Sequence, residues 1–157
     1  MLERIISGGQ TGVDRAALDV ALERHLPCGG WCPAGRRAED GRIPDRYPLT
    51  EHPDARYPAR TEQNVIDADG TLILTRGALA GGTRLTAELA HRHGRPLQIV
   101  DLDDAPDPTA TAAWLRGEAI RTLNVAGPRE SGSPGIGELA AAYLRALLAD
   151  AQNRGHR

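Results

Sequence analysis

Apolar residues in this chain fall into short runs separated by glycine-rich turns and by stretches with a helical period. Ile5 and Ile6 end a first strand, predicted over residues 3–7. Val13, Ala16, Ala17, Val20 and Ala21 then recur on one side of a helix over 12–25. Cys28–Cys32 reads as a short second strand stopped by Pro33. Thr61–Ala68 reads as a short helix, and Thr71–Leu74 as a strand with almost unbroken apolar character. That character fits a central parallel strand covered on both faces. A helix follows from Thr83 to His93, with Gly94 as its stop. The pattern continues with a strand at Leu97–Val100, a solvated acidic loop over 101–108, a helix over 109–117 and a last strand from Ile120 to Val125. The final helix begins near Pro134–Ile136. Ile136, Leu139, Ala140, Tyr143, Leu144, Leu147 and Leu148 give it the clearest apolar face in the chain, and residues after Asp150 are expected to fray.

Strand and helix units in alternation predict an α/β fold with a largely parallel sheet. At 157 residues one domain, 1–150, is expected, with the tail 151–157 beyond it. Residues 33–60 break the pattern. They hold Pro33, Pro44, Pro48, Pro53 and Pro58 among six arginines, with Tyr47 and Tyr57, and no period survives. A long ordered loop, or a loop with short turns, is expected there, forming a lid or wall of a ligand site with its arginines (Arg36, Arg37, Arg42, Arg46, Arg56 and Arg60) toward anionic groups. The alternative is that these arginines only solvate a surface loop.

The first turn carries the candidate chemistry. Ser7-Gly8-Gly9-Gln10-Thr11-Gly12-Val13-Asp14 joins a strand to a helix, a setting that suits an anion through backbone N–H groups and the positive helix end. Thr11 adds a hydroxyl, and Asp14 can accept from a ligand hydroxyl or ring nitrogen. The alternative is a tight turn that needs glycine for its dihedrals. Two further glycine-bearing turns, 77–83 and 127–132, follow two further strands. In a parallel sheet all three lie at one edge, beyond the carboxyl ends of the strands, where ligands bind. Arg129, with Ser131 and Ser133 nearby, is a candidate anion ligand there.

Composition narrows the chemistry. A net charge of −2 gives no reason to expect a nucleic-acid or membrane surface. The chain has no lysine, which excludes a Schiff-base lysine and the lysine of a P-loop. Cys28 and Cys32 make no disulfide framework, and their spacing without a second Cys or His pair speaks against zinc, leaving Cys32 as the one candidate to touch a metal. No signal peptide or membrane span is predicted, so a cytoplasmic protein is expected. Trp31 is placed either on a ligand ring or in packing. Trp114, His91 and His93 are expected in packing or at the surface.

Several stretches in order carry a resemblance. Gly8–Asp14, Gly30-Trp31-Cys32-Pro33, Gly35-Arg36-Arg37-Ala38-Glu39-Asp40-Gly41, Asp69-Gly70-Thr71-Leu72, Gly81-Gly82-Thr83 with Thr86, and Leu123–Arg129 resemble the molybdenum carrier proteins. That family belongs to the SLOG superfamily, which includes the lonely-guy and lysine-decarboxylase-like proteins. The resemblance covers the chain to about residue 145. It implies a Rossmann-like three-layer fold with helices on both faces of the sheet. It also implies a non-catalytic subunit that binds molybdenum cofactor, assembles as a homo-oligomer (dimer or tetramer) and passes the cofactor to molybdoenzymes. The ligand-binding residues expected on this basis are Gly8, Gly9, Gln10, Thr11, Gly12, Asp14, Arg36, Asn64, Gly81, Gly82, Thr83, Thr86, Arg129 and Ser131. A nucleotide is the alternative ligand, being also flat, heteroaromatic and phosphate-bearing, and the chain is then a sensor or a phosphoribohydrolase cleaving an N-glycosidic bond. In the hydrolase Glu88 and Arg84 are the catalytic candidates, although Glu88 lies five positions after Thr83 where those relatives place a glutamate three after their Gly-Thr.

Overall fold

The computed structural model of the chain describes residues 1–155, and of 151–155 only the backbone. Its centre is a five-stranded sheet in the order β2-β1-β9-β7-β8. These strands are β1 (Arg4–Ile6), β2 (Cys28–Gly29), β7 (Gly70–Thr75), β8 (Leu97–Asp101) and β9 (Thr122–Ala126). All neighbours run parallel, with Ile5 opposite both Cys28 and Leu123, and Thr71 opposite both Leu97 and Asn124. The fold is the expected Rossmann-like α/β one.

Helices cover both faces. On one, α1 (Val13–Glu23), α4 (Pro108–Gly117) and α5 (Ile136–Gly155) pack together. Their apolar stripes meet Ile5, Leu72, Leu74, Leu123 and Val125 in the main core. On the other, α2 (Tyr57–Asp67) lies beside α3 (Gly81–Arg92), joined by Val65, Leu89 and Ala90 against Leu97. The unbroken apolar run of β7 follows from this: alternate side chains enter opposite layers, and all six residues are buried. The acidic loop is less solvated than expected. Asp101 accepts from the Asp103 N–H, and a short 3-10 turn drops Leu102 into the core. The final helix continues past Asp150 to Gly155, and the rest of the expected tail, 156–157, lies outside the described residues.

The largest departure from the sequence reading is the segment 33–60. Short strand pairs and the start of a helix stand where an ordered loop without regular elements is expected. The expected strand Cys28–Cys32 breaks at Gly30, so that β3 (Trp31–Cys32) leaves the main sheet and pairs in parallel with β6 (Thr50–Glu51). Between them β4 (Arg37–Ala38) and β5 (Gly41–Arg42) form an antiparallel hairpin. Ile43 and Tyr47 anchor the segment in a second small core with Leu18 and Cys32. Helix α2 also starts earlier than expected, at Tyr57, with Pro58 in its first turn, where a missing N–H is harmless.

Gly30 makes the break possible. Its φ is 121°, and a Cβ there would stand 2.2 Å from the Ser7 carbonyl oxygen. Gly30→Ala is therefore expected to destabilise the protein by roughly 2–4 kcal/mol, read as a lowered denaturation midpoint.

Candidate ligand-binding cleft

Strands β1, β9 and β7 are adjacent and parallel, so their exit turns meet at one edge of the sheet. There they enclose a cleft of about 610 Å³, roomy enough for a cofactor-sized ligand. The turn after β1 supplies Gln10 and Asp14, the turn after β9 supplies Gly127 to Arg129 and Ser133, and the segment after β7 leads into the N-terminus of α3. Helix α2 closes the remaining side with Tyr57, Arg60 and Thr61.

The two helix N-termini at this edge are not equivalent. That of α1 is consumed by the fold. The Val13 N–H donates to the Pro128 carbonyl at 3.3 Å, and Gly12, at φ 80°, is packed so closely that a Cβ would lie 2.4 Å from the same oxygen. That of α3 is open. Its N-cap residue, Ala80, offers no side-chain acceptor, and the first N–H groups of a helix have no partner within it. Gly81 and Gly82 border the cleft, and the space where a Gly82 side chain would stand is empty. Thr83, 6% exposed, lines the same wall, and its hydroxyl has no hydrogen-bond partner among the described residues. Thr86 also lines the cleft, while its hydroxyl donates to the Gly82 carbonyl at 2.9 Å.

Asp14 and Arg60 line the same cleft. Asp14 is buried, and burial pushes its carboxyl up to about 6 despite the nearby Arg60 guanidinium. Arg60 Nη1 is 3.7 Å from Asp14 Oδ2, and Arg60 Nε is buried without an acceptor. Gly8 makes room for that guanidinium, since a Cβ at Gly8 would stand 2.0 Å from Nη1.

Several expected ligand residues have other work. Arg36 does not reach the cleft. It is buried, and its guanidinium donates to the carbonyls of Ile43, Pro44, Tyr47 and Leu49. Asn64 is a clamp on β3: its Oδ1 accepts from the Trp31 N–H at 2.8 Å, and its Nδ2 donates to the Trp31 carbonyl at 3.0 Å. Thr11 and Ser131 both donate their hydroxyls to the Glu39 carboxylate, which also accepts from the Ser131 N–H at 3.2 Å. These bonds hold the Glu39 carboxyl below its ordinary range. Gly9 packs against Ile43 and Leu49. Gln10 borders the cleft while its Oε1 accepts from the N–H groups of Thr11 and Glu39. Arg129 borders the cleft as expected, its Nε 3.8 Å from Glu39 Oε2.

Arg84 and Glu88 pair with each other at 3.8 Å on the solvent side of α3 and do not line the cleft. Cys32 is fully buried beside Leu18, Ile43 and Tyr47, and burial raises its thiol, so it packs and is not presented to a metal. No group of three or more His, Cys, Asp or Glu residues is placed to hold a metal among the described residues. Trp31 donates from Nε1 to Asp67 at 2.7 Å and stands edge-on to His52, away from the cleft. His93 pairs with Glu62 at the surface. No described helix is long and apolar enough to cross a membrane.

The sequence reading includes Arg60 only among the six arginines of the loop 33–60 and does not single it out as a ligand residue. One signal was available: with α2 starting at Tyr57, residues Tyr57, Arg60, Thr61 and Asn64 fall on a single helical face. Glu39 carried no such signal, because its partners come from turns 28 and 92 residues away in the chain.

Comparison with known proteins agrees with this architecture. No curated protein matches the chain. The crystal structure of a protein named putative molybdenum carrier protein, from Syntrophus aciditrophicus SB, is similar throughout: 45% identity, 94% of this chain and 95% of that chain covered, TM-score 0.89. The family match spans residues 5–148, which includes every turn that borders the cleft. The chain thus belongs to the circularly permutated YpsA SLOG family.

Proposed function

We propose that the chain is a carrier that binds molybdenum cofactor in this cleft without transforming it. One observation carries the reading: the uncapped N-terminus of α3, with the unpartnered Thr83 hydroxyl beside it, opens into a cleft large enough for the ligand. Molybdenum cofactor is a pterin that bears a phosphate and an anionic oxo-molybdenum dithiolene group. Backbone N–H groups of Gly82 and Thr83 suit the phosphate. Arg76 and Arg129 border the same space and favour a second negative end, while Asp14 is the single acidic residue among the described lining. The similar protein's name points the same way. A carrier rather than a phosphoribohydrolase is favoured because Arg84 and Glu88 face solvent. Homo-oligomeric assembly and transfer to molybdoenzymes come with this reading from the resemblance, and a cytoplasmic setting from the sequence.

The test is a titration of the purified protein with molybdenum cofactor, repeated on Thr83→Val. Saturable binding without product is expected, weakened roughly 10- to 100-fold by the substitution, since a hydrogen bond to a charged group is lost. Stability should not change, because the Thr83 hydroxyl has no partner among the described residues. Absence of cofactor binding overturns the reading. Tight nucleotide binding instead makes the chain a sensor, and a freed base makes it a hydrolase.

A further inference from the structure

The cleft wall carries two chemically different sets of groups. On α3 the polar groups that line it are donors with no carboxylate among them. From α1 and α2 a carboxylate and a guanidinium lie side by side. Arg60 Nη1 stands 3.7 Å from Asp14 Oδ2, close enough for attraction but too far for a hydrogen bond. Both side chains are largely withdrawn from solvent, at 11% and 8% exposure. The Arg60 guanidinium has no hydrogen-bonded acceptor among the described residues, and its Nε is fully buried. The Tyr57 ring, 5.5 Å from its central carbon, packs on it and leaves the donors in place.

Such a pair does not suit a second anion. Whatever lies against Arg60 also lies against Asp14, whose charge offsets the attraction. It suits a neutral edge that supplies donors to the carboxylate and an acceptor to the guanidinium. A carboxylate only accepts and a guanidinium only donates.

We infer that Asp14 and Arg60 together read the ring of the ligand, and that they select a 2-amino-4-oxopyrimidine edge, as in a pterin or a guanine, over an adenine. The inference rests on the proposed binding of a phosphate-bearing heterocycle at α3. In the 2-amino-4-oxo ring the exocyclic amino group and the neighbouring ring N–H point the same way, matching the two oxygens of Asp14. The adjacent ring carbonyl offers the acceptor that Arg60 lacks. Adenine has one amino group beside a ring nitrogen that only accepts. It brings the carboxylate one donor fewer, and sets a ring acceptor against it, in a buried site, which is where such discrimination is strongest. The raised carboxyl of Asp14 agrees: burial outweighs Arg60 and the backbone N–H groups of Gln10 and Gly8 that favour its charge, and ligand N–H donors would add to that incomplete solvation.

Calorimetric titrations with a pterin monophosphate, GMP, AMP and ribose phosphate test this on the wild-type protein and on Asp14→Asn and Arg60→Met. The pterin monophosphate and GMP are expected to bind roughly 10- to 100-fold more tightly than AMP. Asp14→Asn should erase that preference and Arg60→Met should reduce it, with ribose phosphate bound equally by all three proteins. Equal affinity for GMP and AMP in the wild type, or a preference that survives Asp14→Asn, overturns the inference while leaving the phosphate site standing. Failure of every ligand, ribose phosphate included, overturns the α3 site and the inference with it.

Discussion

Asp14→Asn is expected to stabilise the folded protein at neutral pH by about 3 kcal/mol. The carboxyl moves from an ordinary 3.8 to about 6, chiefly because it is buried, with Arg60 and the backbone of Gln10 and Gly8 pulling the other way. Between these values the folded state holds a proton that the unfolded chain has released. Stability from this group is therefore fully present below pH 3.8 and is lost as pH rises through about 6. Asparagine has no charge to bury at any pH. Thermal denaturation of both proteins from pH 4 to 8 should show the midpoints close together at the acid end. At pH 7 to 8 the variant should lead by roughly 6–12 °C. Parallel curves would mean that Asp14 is solvated and that its burial has no energetic consequence. The sign matters for function. A carboxylate that weakens the fold at neutral pH, at the wall of a cleft, is the kind of group retained for a ligand and not for packing.

Arg36→Met is expected to act in the opposite direction, lowering stability by about 3 kcal/mol or more. The guanidinium donates to the Ile43 carbonyl at 3.1 Å, to Pro44 at 2.8 Å, to Tyr47 at 2.9 Å and to Leu49 at 3.4 Å. Without these donors the carbonyls lose partners, several of them away from water. Residues 33–56 are otherwise held by two pairs of very short strands, the anchors Ile43 and Tyr47, and side-chain ties from Glu39 to Thr11 and Ser131, Asp40 to Arg15 and Tyr47 to Asp19. Loosening is therefore expected there first, as rapid proteolysis between Pro33 and Arg56 while the main sheet stays folded. Arg36→Lys should not rescue it, because an ammonium cannot spread donors over four carbonyls in a plane. An unchanged denaturation midpoint with lost ligand binding would instead make Arg36 a ligand residue.

Arg36 also marks what was legible in the sequence and what was not. The five parallel strands and their helices announced themselves because a strand buried on both faces reads as an apolar run, and a packed helix carries a stripe. The convergence of the turns followed from parallel strand order alone. Within 33–60 the order comes instead from a central guanidinium collecting carbonyls, which leaves no period to read. Six arginines lie in that stretch, and only the packing tells that Arg36 is structural while Arg60 faces the cleft. The same holds for the turn Gly8–Asp14. Its glycines were read as a cradle for an anion. In the structure Gly12 packs under Pro128, and Thr11 holds Glu39 together with Ser131. Gly81-Gly82-Thr83 looked no stronger in sequence, yet its helix end is the open one, because nothing from β9 closes over it.

This difference between the two helix ends decides where the phosphate of a ligand sits. The most direct measurement is a crystal structure of the protein soaked with molybdenum cofactor, read for the position of the phosphate. The phosphate is expected on the N–H groups of Gly82 and Thr83 and the Thr83 hydroxyl, with Glu39 still bound to Thr11 and Ser131. A phosphate seated on the α1 turn beside Thr11, with Glu39 displaced, would contradict this expectation.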